Sequence, residues 1–241
     1  MTAGIYAKRE KLSSYSNLRS SNDSLLAENA KLRNKLAVQK GKNPLKDTSY
    51  TRMVANDDSI KQSVYYKYMP ARVLNNSIDL KNNYITLNLG SRDGVRRNMS
   101  VISAKGIVGK ITHVSLNYSL ASSMLSSKFY VSCVVPDGTV ANAYWGSGFD
   151  PDHVYLRGLP QSVKVKKGDT ISTSGFSLFP ENIMIGTVVG SKKGGSTGLK
   201  QYKVKLSTSF RKLHFVYIVN DISTIERKVL EDSVEVDIID E

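Results

Sequence analysis

Cysteine is almost absent from this sequence, which has one in 241 residues, Cys133. A single thiol excludes an intrachain disulfide and any zinc site built from paired cysteines. Cys133 lies in the strand-like run FYVSCVV, where a free cysteine is usually a small buried apolar side chain. We therefore expect Cys133 to be structural.

Long hydrophobic runs and clustered histidines are also missing. No stretch approaches the ~20 apolar residues that a membrane-spanning helix needs. The longest uncharged run, 111–127, is interrupted throughout by Ser, Thr and Asn. His113, His153 and His214 are far apart and form neither an HxxxH nor an HExxH spacing. We expect no metal ion and no cofactor.

The charge is strongly basic but unevenly distributed, with a total of 34 − 21 = +13. Between residues 221 and 241, eight acidic residues stand against Arg227 and Lys228, a net charge of −6, so residues 1–220 carry +19. Such a surplus favours a polyanionic neighbour without naming it, because nucleic acid, anionic lipid headgroups and cell-wall polymers all fit. The acidic segment 221–241 is predicted to be a solvated end of the chain.

A seven-residue repeat runs through the first forty residues. Its a positions are Tyr15, Asn22, Asn29 and Leu36, and its d positions are Leu18, Leu25, Leu32 and Gln39. In a helix, residues at the a and d positions form one narrow stripe along its side. Such a stripe is typical of a helix that pairs with a second helix. The alternative is a single amphipathic helix lying on its own domain. We predict a coiled-coil dimerisation helix over 1–43, ended near Gly41 and Pro44, and then a linker over 44–63.

From residue 64 to 220 the pattern changes to short β-branched or aromatic runs separated by turn residues about every ten positions. Eleven or so such strands indicate small barrels or a sandwich. Their number exceeds what one small barrel needs, which predicts two β-domains, 64–140 and 141–220. This prediction allows the last strand to belong to the first domain instead of the second.

Three kinds of chemistry can be compared with the residues present. The run around Gly109 and Lys110 is not a phosphate-binding P-loop, because Ala104 stands where the first glycine belongs and Ile111 where the hydroxyl belongs. A hydrolytic site would have to assemble His113, Asp169 and Ser174, yet the glycine-flanked nucleophile turn is missing. A basic surface binding single-stranded nucleic acid or another polyanion, with Tyr202 and Phe210 as stacking rings, remains the alternative.

Two blocks of sequence, 82–115 and 165–188, each carry a distinctive motif. The motif of the first block consists of Ile85, Thr86, Gly90, Asp93, Gly94, Val95, Met99, Val101, Gly106, Ile107, Val108 and Gly109. The motif of the second consists of Lys167, Gly168, Asp169, Thr173, Ser174, Gly175, Phe179, Pro180, Ile185, Gly186 and Val188. Together the two blocks resemble the rod shape-determining protein MreC family, and the composition is most similar to the Bacteroidetes version of that family. Asn98 and Met184 depart from the usual loop residues.

The resemblance implies a mainly β fold, with a long N-terminal helix followed by two six-stranded β-barrels. It implies a non-enzymatic scaffold of the cell-elongation machinery, in the periplasm and anchored to the inner membrane by a helix that this sequence does not contain. Implied partners are a second copy of the chain, with growth into filaments possible, the elongation-specific penicillin-binding transpeptidase, RodA, MreD and the MreB system. An anionic membrane surface or wall polymer is a further expected neighbour, and no specific nucleic acid is expected.

Overall fold

A computed structural model describes residues 21–36, 66–146, 150–176, 178–193 and 200–221. The predicted seam positions Tyr15, Leu18 and Gln39, the linker 44–63 and the acidic residues 222–241 lie outside these ranges. The chain divides into two compact units, residues 1–63 and 64–241.

The first unit contains helix α1, residues 21–36. Leu, Ala, Glu, Lys and Arg make up most of its length, and they are favourable in helices because they lose little side-chain freedom there. Leu25, Leu32 and Leu36 are 56%, 50% and 58% exposed, whereas Ala30 is 4% exposed. A helix is thus present over 21–36, within the predicted range 1–43, and its pairing in a coiled coil stays a prediction. No helix among the described residues is long and apolar enough to cross a membrane.

The described part of the second unit contains twelve strands. In chain order they are β1 Tyr66–Asn76, β2 Asn82–Leu87, β3 Ser100–Ile102, β4 Ile107–Val114, β5 Ser119–Ser126, β6 Tyr130–Val134, β7 Val140–Tyr144, β8 His153–Arg157, β9 Thr170–Thr173, β10 Met184–Lys193, β11 Lys200–Leu206 and β12 Phe215–Asp221. All the pairings between them are antiparallel.

The strands close into two six-stranded barrels, which confirms the predicted fold class. The first barrel has the order β1-β12-β3-β4-β5-β2, and the second has the order β10-β11-β8-β7-β6-β9. Closure leaves neither sheet with a free edge, so each strand has a hydrogen-bonded neighbour on both sides.

Alternating side chains fill each barrel, because successive residues of a strand point to opposite faces of its sheet. The interior of the first barrel contains Ile85, Leu87, Val101, Ile111, Ala121 and Ile218, and that of the second contains Val131, Cys133, Ala143, Leu156, Ile171 and Val204, all at most 1% exposed. The burial expected for Cys133 is confirmed.

Two strands do not follow the predicted domain boundary at residue 140. Strand β12 pairs with β1 and β3, so the end of the β region belongs to the first barrel. Strand β6 lies before residue 140 yet pairs with β7 and β9 in the second barrel. The turn signal around Gly138, whose φ is +86°, belongs to the hairpin between β6 and β7. A turn residue alone does not distinguish a hairpin from a domain boundary.

Candidate interaction sites

The first family block forms the turn between β2 and β3. The Asp93 carboxylate accepts a hydrogen bond from the Gly90 N–H at 2.9 Å, across the short 3₁₀ helix Ser91–Asp93. Gly94 ends that helix with φ +85°, in the left-handed region that favours glycine. The motif residues Gly90, Asp93 and Gly94 therefore build a turn, and their polar groups are used within it.

Glycines Gly109 and Gly186 lie where neighbouring strands approach closely. A β-carbon at Gly109 would overlap the Ser122 carbonyl of β5, and one at Gly186 would overlap the Lys205 carbonyl of β11. Backbone therefore occupies the space beside each glycine, and at Gly109 this agrees with the exclusion of a phosphate-binding P-loop.

Gly106 lies at the contact between the two barrels. A β-carbon there would overlap the Met184 carbonyl and the Ser207 hydroxyl, both of which lie in the second-barrel part of the chain. Beside it, the Ser103 and Thr208 hydroxyl oxygens are 2.8 Å apart, and the Ser103 hydroxyl also donates to the Gly106 carbonyl at 3.1 Å. This cluster joins the first barrel to the segment after β11 by one buried hydrogen bond, between Ser103 and Thr208, and to β10 by the close approach at Gly106.

The second family block forms two turns of the second barrel. Asp169 accepts a hydrogen bond from the Lys166 N–H at 2.8 Å, next to Gly168 with φ +98°. The buried Thr173 hydroxyl donates to the Pro180 carbonyl at 2.5 Å and accepts from the Ile183 N–H at 2.9 Å. Gly175, with φ +77°, turns the chain within the loop that these bonds close.

The structure does not assemble a hydrolytic triad from His113, Asp169 and Ser174. The Ser174 hydroxyl donates to the Ser132 hydroxyl at 2.8 Å, Asp169 is engaged in its turn, and His113 lies on β4 of the first barrel beside Thr112. Among the described residues, no group of three His, Cys, Asp or Glu side chains is placed to hold a metal ion.

Asp150 forms a separate charged cluster on the second barrel. Its carboxylate lies 2.7 Å from His153 Nδ1 and 3.2 Å from Lys203 Nζ. Partial burial raises the pKa of Asp150, but hydrogen bonds from the Asp152 N–H, Lys203 and His153 outweigh it, and the net result is a lowered pKa. This carboxylate is therefore ionised at neutral pH and neutralises part of the local positive charge.

The stacking rings expected for nucleic-acid binding are inside the protein. Tyr202 is 5% exposed and Phe210 is 1% exposed. On β11, Tyr202 shares the inward face with Val204 and Leu206, whereas Lys203 and Lys205 point outward. The alternative in which Tyr202 and Phe210 stack on bases is therefore wrong, because both rings are buried in the core.

The predicted dimerisation seam is described for Asn22, Leu25, Asn29, Leu32 and Leu36. The Asn29 side chain donates to the Leu25 carbonyl one turn earlier, at 2.8 Å, so one of its amide hydrogens is satisfied within the helix. The seam leucines are about half exposed, so part of their apolar surface remains in contact with solvent.

An outward surface of the second barrel was missed by the sequence reasoning. The β-sheet register places Tyr130 beside Tyr144, Tyr144 beside Tyr155 and Tyr155 beside Lys203, in one row across β6, β7, β8 and β11. The Arg157 guanidinium lies over the rings of Tyr130 at 5.4 Å and Tyr144 at 5.3 Å. We call Tyr130, Tyr144, Tyr155, Arg157 and Lys203 the tyrosine–arginine face.

Part of that face was detectable from the sequence. The alternation in FYVSCVV, VANAYW and HVYLRGL puts each tyrosine on the side opposite to the buried Val, Ala or Leu. What the alternation does not supply is the register between strands, and the row exists only because separate strands align.

Comparison with known proteins places these features in a family. The family model described as "Rod shape-determining protein MreC, barrel core" matches residues 73–220. The cell shape-determining protein MreC of Listeria monocytogenes is 32% identical over 136 residues, which are 54% of this chain and 45% of that protein. The chain thus spans about half the length of the curated relative.

Solved structures show the same fold. An MreC structure from Listeria monocytogenes has a TM-score of 0.59 at 24% identity, covering 88% of this chain and 93% of that one. A Helicobacter pylori structure, described as a complex between penicillin-binding protein PBP2 and MreC, contains a chain with a TM-score of 0.53 at 14% identity, covering 65% of this chain and 99% of that one.

Proposed function

Because this chain belongs to the family of the rod shape-determining protein MreC, we propose that it is a non-enzymatic scaffold of the bacterial cell-elongation machinery. The observation that carries the proposal is the match over residues 73–220, which includes nearly all of both closed barrels. In this role the barrels present preformed surfaces to partner proteins. If a surface binds one conformation of a partner more tightly than the others, binding raises the population of that conformation.

Self-association is the first part of the proposal. The half-exposed leucines of α1 support a dimer formed by two copies of the helix, because burying each leucine against a partner removes apolar surface from water. The asparagines at a positions favour two strands in register at some cost in stability. Growth of such dimers into filaments would require a second self-association surface on the same chain.

Binding of peptidoglycan-synthesis proteins is the second part. The Helicobacter pylori relative is described in a complex with a penicillin-binding protein, which supports the elongation-specific transpeptidase as a partner of this chain. RodA, MreD and the MreB system are proposed by family resemblance. We place the barrels in the periplasm, with an inner-membrane anchor preceding α1, where the basic surplus of residues 1–220 would attract anionic lipid or wall polymer.

The proposal is tested by surface plasmon resonance with the purified chain immobilised. The ectodomain of the elongation-specific transpeptidase from the same cell is expected to bind saturably at physiological salt. The ectodomain of a division-specific transpeptidase is the matched control and is expected to give no saturable signal. Failure of the elongation-specific ectodomain to bind would overturn the partner assignment.

A further inference from the structure

The tyrosine–arginine face has the composition of a binding surface rather than of ordinary solvated barrel exterior. Tyr130 is 61% exposed, and Arg157 is exposed beside it. Tyrosine and arginine are among the residue types most enriched where proteins bind one another, because each offers a large contact area together with hydrogen-bonding groups.

Arg157 is held in place by its neighbours. Its guanidinium is stacked against Tyr130 and Tyr144, and the Tyr144 hydroxyl accepts a hydrogen bond from Gln201 of β11. Among the described residues, no carboxylate or carbonyl accepts a hydrogen bond from the Arg157 side chain. A guanidinium that lies over aromatic rings and has unengaged N–H groups is positioned to bind a carboxylate through two parallel N–H donors.

The charge of this side of the barrel is also one-sided. His153 and Lys205 face each other on the outward side of β8 and β11, next to Lys203. Among the described residues, Asp150 is the carboxylate in contact with this group, and it is already engaged by Lys203 Nζ at 3.2 Å and by His153 Nδ1 at 2.7 Å. Arg157 and Lys205 therefore remain available to an acidic ligand.

The sequence of this chain contains a segment with the complementary chemistry. Residues 231–241, EDSVEVDIIDE, hold six carboxylate side chains and no cation, interspersed with Val234, Val236, Ile238 and Ile239. Carboxylates suit the cations of the face, and aliphatic side chains suit the tyrosine rings. Strand β12 ends at Asp221, and the ten residues from there to Glu231 reach at most about 36 Å.

We propose that the acidic segment 231–241 docks on the tyrosine–arginine face of its own molecule. The segment is tethered to the same barrel pair, so its effective concentration at the face is high and even a weak contact is populated. Any partner that uses this face must then displace the segment, which makes the segment a competitor for the face. The docking does not depend on whether the transpeptidase binds.

The test is a fluorescence-anisotropy titration at physiological salt with a labelled synthetic peptide of residues 222–241. The protein is compared as the full chain and as a chain ending at Asp221. The shortened chain is expected to bind the peptide saturably. The full chain is expected to bind it at least about tenfold more weakly, because its own segment occupies the face.

Two variants of the shortened chain locate the binding. The double variant Tyr130→Ser, Arg157→Glu is expected to lose at least about tenfold in affinity. The control Tyr118→Ser, Arg92→Glu makes the same chemical changes at exposed positions of the first barrel and is expected to leave the affinity unchanged. A peptide with every Asp and Glu replaced by Asn and Gln tests the role of charge on unaltered protein and is expected not to bind.

Three outcomes would overturn the inference. The first is the absence of saturable binding to the shortened chain. The second is equal binding by the two double variants, which would place the peptide elsewhere. The third is equal binding by the full and shortened chains, which would show that the face is open and that segments of other molecules, rather than its own, occupy it.

Discussion

Gly106 of the first barrel packs directly against the carbonyl oxygen of Met184 in the second barrel, which leaves no room for a β-carbon. The Ser207 hydroxyl also occupies that space, and the Ser103 and Thr208 hydroxyls form a hydrogen bond 2.8 Å long beside it. A family-motif glycine thus determines how closely the two barrels approach each other.

Replacing Gly106 by alanine is expected to destabilise the protein by about 1–3 kcal/mol, the range typical of overpacking a site that has little freedom to relax. Much of the obstruction is the Met184 backbone, so the added methyl group has to displace part of β10. Urea unfolding followed by circular dichroism measures the change in the free energy of unfolding.

Gly190→Ala is the matched control, because Gly190 lies on β10, the strand of Met184, and no atom is within 4 Å of the place that an added methyl group would take. This substitution is expected to change the free energy of unfolding by less than about 1 kcal/mol, in either direction. Equal destabilisation by the two substitutions would contradict the close contact at Gly106.

Thr173 gives a second prediction, from hydrogen bonding rather than from space. Valine has nearly the same shape as threonine, but Thr173→Val would remove the buried hydroxyl and leave the Pro180 carbonyl and the Ile183 N–H without that partner. The expected loss is about 1–3 kcal/mol of unfolding free energy.

The comparison for Thr173 is Thr170→Val on the same strand, where the side chain is exposed. This change is expected to stay within about 0.5 kcal/mol, as most surface substitutions do. If thermal unfolding shows the same change in Tm for Thr173→Val and Thr170→Val, the hydrogen bonds of Thr173 contribute nothing to stability beyond the β-strand propensity of the residue.

Strand periodicity predicted the local features of the fold well, because burial on alternate residues is written directly into the sequence. It predicted that Cys133 is interior, and the same rule, had it been applied to Tyr202, would have placed that ring in the core beside Val204 and Leu206. Lys203 and Lys205, the cations that favoured a surface position for Tyr202, point to the other side of the strand.

Long-range contacts were the part that sequence patterns did not supply. The role of Gly106 depends on Met184, 78 positions away in the chain, and the tyrosine–arginine face depends on the alignment of β6, β7 and β8. Hydrophobic periodicity determines which face of a strand is buried, but it does not determine which strands are neighbours.

Cys133 is expected to resist alkylation in the folded protein. Burial raises the pKa of its thiol to about 12, against smaller opposing contributions from hydrogen bonds to the Ala143 and Ala141 backbone. At pH 8 the reactive thiolate is then about one part in 10⁴, compared with about a quarter in the unfolded chain.

Iodoacetamide labelling at pH 8, followed by mass spectrometry, checks this expectation. The native protein is expected to remain unmodified on the timescale in which the guanidinium-denatured protein is fully modified. Comparable rates in the two states would show that the second barrel opens readily around β6.

The last prediction concerns the seam of α1. Leu25→Glu together with Leu32→Glu places charges on two consecutive d positions, and a dimer held by those leucines cannot bury the carboxylates without a large desolvation cost. Sedimentation velocity should therefore change from a dimer for the parent chain to a monomer for the double variant. Ser24→Glu together with Ala27→Glu adds the same charge at exposed positions off the seam and should leave the dimer intact. If the leucine variant sediments like the parent, the helices do not pair through this stripe, and the seven-residue repeat marks a helix that packs within its own chain.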